Sequence, residues 1–142
     1  MTTPYSDIFT KFNILIEDPK LLGLLTDEEY TELLELFLSK AKSVYFKNCV
    51  TDLTDVDNAL KQFNKTVSEQ EQWIVAESMR YIWLEKQLYK EEKLRDRMST
   101  KDYNRHSNAA LLQRLIELKN DTRKNLEAMI VSYSFDSFQG FN

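Results

Sequence analysis

The chain has 142 residues, 42% hydrophobic and 30% charged, with a formal net charge of −4. That length suits one domain able to bury a core without staples, and that balance excludes a disordered chain. The acidic excess, with Lys and Arg alternating with Glu and Asp from Lys86 to Arg97, offers no basic stripe of the kind a nucleic-acid binder needs.

Pro4, Pro19, Gly23 and Gly140 are the only prolines and glycines, and all lie toward the ends. The long stretch between Gly23 and Gly140 therefore favours long helices over a sandwich or barrel, whose many turns need Gly and Pro. One cysteine, Cys49, rules out an intrachain disulfide and fits a reducing compartment. The N-terminus has no apolar signal stretch. No apolar run approaches the roughly 18 residues of a membrane span, so neither secretion nor a span is expected.

Ser6 can cap a short helix carrying Ile8, Phe9, Phe12, Leu15 and Ile16 on one face. Asp18-Pro19 ends it, and Leu21 to Leu25 forms an apolar connector. Thr26 and Glu29 make a capping box, which predicts a helix to about Asn48. Its stripe is Tyr30, Leu33, Leu34, Phe37, Leu38, Ala41, Val44 and Tyr45, with Glu32, Glu35, Lys40 and Lys42 off it. From Val50 to Val67 the pattern is mixed. Asp52, Asp55 and Asp57 suit turns or caps, and Phe63 belongs either to a short helix with Leu60 or to a short strand.

Ser68 and Glu71 form a second capping box, opening a helix expected to reach about Lys93. Trp73, Ile74, Tyr81, Leu84 and Leu88 take one side of it, and Val75, Met79, Ile82 and Trp83 take much of the other. A helix apolar nearly all round is buried on more than one side. The second side either faces another subunit or makes the helix central to its own bundle. Met98 to Tyr103 is a polar connector. Ser107 or Asn108 then caps a helix to about Tyr133, with Leu111, Leu112, Leu115, Leu118, Leu126, Met129, Ile130 and Tyr133 on its apolar face. Beyond it Phe135, Phe138 and Phe141 recur every three residues in a terminal tail, which either folds back or docks on a partner. The expected fold is all-α: about four main helices over residues 1–133 and an extended tail over 134–142.

The residues offer little chemistry. His106, the single histidine, sits in a polar loop sequence. Without a Glu-x-x-His motif or a second Cys–His pair, neither a di-iron nor a structural zinc site is expected. Asp52, Asp55 and Asp57 lack calcium-loop spacing, and no Gly-rich phosphate loop is present. Cys49 reads as an inert thiol at a helix end. Glu69/Glu71 and Glu91/Glu92 read as capping or solvated pairs. No catalytic, metal or cofactor site is expected, and the chain reads as a non-enzyme.

The order of short motifs is more telling. Ile8-Phe9-x-x-Phe12 is followed by Leu22-x-x-Leu25-Thr-Asp-Glu-Glu29, then Cys49, Asp52-Leu53 and Phe63-Asn64. Next come Val67-Ser-Glu-Gln-Glu-Gln-Trp-Ile-Val-Ala-Glu-Ser-Met79 and Trp83-Leu84. Met98-Ser-Thr-Lys-Asp-Tyr103, Ser107-Asn-Ala-Ala-Leu-Leu112 and Tyr133-Ser134-Phe135 close the series. From Tyr5 to Phe135 this resembles the head–tail connector (adaptor) proteins of tailed bacteriophages infecting Gram-positive bacteria.

The resemblance implies a structural protein of the virion neck, made in the host cytoplasm. It would form a ring of its own copies, typically twelvefold, beneath the portal protein, and offer a surface to the tail-proximal neck or stopper protein. DNA would pass through the ring without sequence-specific binding, which an acidic chain suits. A portal-docking tail would comprise Tyr133, Phe135, Phe138 and Phe141, and a subunit-interface helix would use Val75, Met79, Ile82 and Trp83. No cofactor and no membrane are implied. The competing reading is a small helical regulator that binds a host or phage protein in a groove.

Overall fold

A computed structural model describes residues 2–16, 27–47, 49–97 and 109–139, the side chains at 94–97 and 137–139 excepted. The architecture is a small helical bundle with a three-stranded sheet of two-residue strands at one end. In chain order the elements are β1 (Thr3–Pro4), α1 (Tyr5–Ile16), α2 (Asp27–Lys40), β2 (Val56–Asp57), β3 (Gln62–Phe63), α3 (Glu69–Arg97) and α4 (Ala109–Gln139). A π-turn over Ala41–Tyr45 continues α2. The Asp18-Pro19 stop, the Leu21–Leu25 connector, Thr26 of the first capping box, the Met98–Tyr103 connector and the Ser107/Asn108 cap lie outside the described residues.

α1 starts one residue before the expected Ser6 cap. The Tyr5 amide, an orphan donor at the helix start, donates to the Lys61 carbonyl at 2.9 Å. Ile8 and Phe12 are fully buried, as their spacing predicts. In α2, Tyr30, Leu34, Phe37, Leu38 and Ala41 are buried, and the regular stripe stops there. In the π-turn the Phe46 amide bonds to the Ala41 carbonyl at 2.9 Å. This wider turn carries Phe46 inward (2% exposed) and leaves Val44 half exposed.

Phe63 is in a strand. The sheet order is β1-β3-β2, antiparallel throughout, with Phe63 opposite both Thr3 and Val56. Pro4 is tolerated because β1 is an edge strand. Asp57 Oδ1 accepts the Ala59 and Leu60 amides at 3.0 Å each, and Asp52 Oδ1 accepts the Thr54 amide at 3.0 Å. Both aspartates are turn residues, as their type suggests. Lys61 closes the hairpin at φ 54 and pairs with Glu35 at 2.9 Å.

α3 packs on α1, α2 and α4. At about 1.5 Å per residue, its 29 residues span roughly 43 Å. Its first half is the centre of the main core, where Ile74, Val75, Ala76 and Met79 are fully buried. Its second half pairs with the start of α4 through a separate cluster of Leu84, Leu88, Leu112 and Leu115. α3 and α4 therefore form a long antiparallel helical hairpin. α4 runs past the expected stop at Tyr133 to Gln139, because no Gly or Pro intervenes before Gly140. Residues 134–139 are thus helix rather than extended tail. Among the described residues no helix is long and apolar enough to cross a membrane.

Candidate functional site

The second capping box forms. The Ser68 amide donates to Glu71 Oε1 at 2.9 Å, and the Glu71 amide donates to Ser68 Oγ at 3.2 Å. Glu71 also gathers groups from far along the chain. Its Oε1 accepts the Thr51 hydroxyl at 2.8 Å. Its Oε2 accepts the Tyr133 hydroxyl at 2.7 Å, the Cys49 thiol at 2.9 Å and the Thr51 amide at 3.3 Å. The carboxylate is 3% exposed and sits at the start of α3, where the helix dipole also favours negative charge.

Burial alone would raise the Glu71 pKa. The hydrogen bonds from Cys49, Tyr133, the Ser68 amide and Thr51 overcome it and bring the carboxyl down to about 2. The donors respond oppositely. Burial and the bond to Glu71 push the Cys49 thiol up to about 12, and the same two causes raise Tyr133. Cys49 is therefore held as a protonated donor. A thiol with its pKa near 12 instead of 9 has a roughly thousandfold smaller thiolate fraction at neutral pH. The folded protein is expected to resist a thiol-specific reagent at pH 8 and to react on addition of denaturant. Rapid labelling without denaturant would contradict this.

Tyr133 ties the end of α4 to this node. Its hydroxyl accepts the Val50 amide at 2.8 Å, and its ring packs edge-on against Phe46 at 5.1 Å. One turn on, Gln70 Nε2 donates to Asp136 at 3.3 Å. Tyr133→Phe should keep the packing, orphan the Val50 amide and remove one donor from Glu71. The expected cost is about 1–2 kcal/mol in urea unfolding.

The residues expected to dock on a portal divide accordingly. Tyr133 is 5% exposed and engaged within the chain, whereas Phe135 is 60% exposed. The side chain of Phe138, and Phe141 as a whole, lie outside the described residues. Of the expected interface helix, Val75, Met79 and Ile82 are buried in the chain's own core, so α3 is central to its own bundle. In this conformation they present no surface to a neighbouring subunit. Trp83 is half-buried, and its indole N–H has no acceptor among the described residues.

The outward face of α4 changes character along its length. Arg114, Glu117, Asp121 and Lys124 are followed at the same helical spacing by Ala128, Val131 and Phe135, all exposed. Beside this apolar end runs an open groove of about 540 Å³ between α3 and α4, lined by Gln70, Trp73, Ile74, Ala128, Met129 and Ser132. Sequence reading missed Val131 and the groove. Among the described residues no group of three or more His, Cys, Asp or Glu side chains is placed to hold a metal ion, and His106 lies outside them. Compared with protein-family models, curated proteins and solved structures, the chain matches none.

Proposed function

We propose that this chain is a head–tail connector of a tailed bacteriophage, a structural subunit that sits beneath the portal and takes part in a DNA-conducting ring. The observation that carries the reading is the order of motifs from Tyr5 to Phe135, ending on Tyr133-Ser134-Phe135. The helical bundle is compatible with it. So is an anchored terminal helix with Val131 and Phe135 left uncovered, since an assembly subunit needs apolar surface that its own fold does not use. The net charge of −4 suits a conduit through which DNA must slide.

The test is to tag the chain in the genome that encodes it, purify it from a lysate of producing cells and identify the co-purifying proteins by mass spectrometry. Portal protein should co-purify and be lost when residues 134–142 are deleted. Recovery of a host regulatory protein, with no portal or tail component, would overturn the reading in favour of a regulator.

A further inference from the structure

Phe135 is an exposed aromatic on a helix that is not free to fray. Tyr133 and Asp136, on either side of it, are hydrogen-bonded to Glu71 and Gln70 of α3. The ring is therefore held out as a fixed knob, with Val131 (68% exposed) one turn before it. A hole lies within two turns of the knob on the same helix, the groove walled by Trp73, Ile74, Ala128 and Met129. None of the residues lining it is charged. A dry cavity of about 150 Å³ already holds a benzene ring, so the groove can admit a phenylalanine side chain.

A knob and a hole side by side on one surface are self-complementary under a twofold axis, where residue i meets j and j meets i. We propose that in the free protein a second copy of this chain covers the end of α4, the two helices crossing antiparallel near Val131 and Ser132. Each Phe135 then lies over Ala128 of the other copy and enters the groove against Trp73. The charges agree with this occupant. Lys11 Nζ sits 5.5 Å over the Trp73 ring, and the residue that follows the incoming Phe135 is Asp136. The charged upstream half of the same face, Arg114 to Lys124, stays in water.

This pairing does not rest on the connector reading, and either can fail alone. The experiment is sedimentation equilibrium of the full chain across micromolar concentrations, compared with Phe135→Ala and with Leu36→Ala. Leu36 is equally exposed (68%) but lies on α2. Thermal melts would verify that both variants fold. The wild-type chain should fit a monomer–dimer equilibrium, weakened at least about tenfold by Phe135→Ala and unchanged by Leu36→Ala. As a second readout, Val131→Cys should form a disulfide-linked dimer under mild oxidation, because the two copies of this position lie near the axis. A monomer at all concentrations, a ring larger than a dimer, or a dimer indifferent to Phe135→Ala would overturn the proposal.

Discussion

Glu71→Ala should lower stability by about 3 kcal/mol, because it leaves donors from three segments facing a buried void. The Cys49 thiol, the Thr51 hydroxyl and amide, the Ser68 amide and the Tyr133 hydroxyl all lose their acceptor. Glu71→Gln, which keeps the shape, replaces one acceptor oxygen by a donor group and should recover only part of the loss. The pH dependence has a definite sign. The carboxyl titrates at about 2 in the folded chain and at an ordinary 4.5 once unfolded. Its contribution is complete above about pH 4.5 and is lost as pH falls toward 2. The Cys49 thiol is raised from 9.0 to about 12, so the unfolded chain loses that proton first, and stability falls as pH rises above 9. Urea unfolding between pH 2 and pH 11 should show a plateau with both limbs. In Glu71→Ala the acid limb should flatten, because the group that titrates there is gone. A variant as acid-sensitive as the parent would show that other carboxylates control acid unfolding.

Phe63→Ala should cost about 4 kcal/mol, the range for emptying a fully buried aromatic position. The Phe63 ring meets Tyr5 edge-on at 5.0 Å and lies 5.6 Å beneath Lys42 Nζ. Its strand pairs with both β1 and β2. One side chain thus clamps the start of α1 and the hairpin to the end of α2. Thermal unfolding should drop by roughly 10 °C on the usual scaling for a chain of this size. By contrast Leu60→Ser, at the exposed hairpin tip, should change stability by less than about 0.5 kcal/mol. A small effect of Phe63→Ala would mean that the little sheet is not part of the cooperative core.

The helices were legible because each carries a strong local signal. The spacing of Ile8 and Phe12, the Leu34–Phe37–Leu38–Ala41 stripe and the Ser68–Glu71 box all form as their patterns predict. What was not legible was set at long range. Glu71 reads locally as a cap, but its partners at Thr51 and Tyr133 stand 20 and 62 residues away, and no local period encodes them. The π-turn that turns Phe46 inward comes after an apolar stripe that looks continuous in sequence. Two-residue strands are too short to show a period of two. α3 was read correctly as apolar on two sides, yet periodicity alone left open whether its own chain or another subunit covers Val75, Met79 and Ile82. The fold covers them itself, and the exposed apolar surface falls instead on Val131 and Phe135 of α4.

The proposed role places many copies of this fold at one site in a particle, so the most direct measurement is a cryo-electron-microscopy reconstruction of the neck of purified virions. The connector reading predicts a ring of subunits beneath the portal, each containing the long α3–α4 hairpin. A neck reconstructed at side-chain detail with no such hairpin beneath the portal would contradict it.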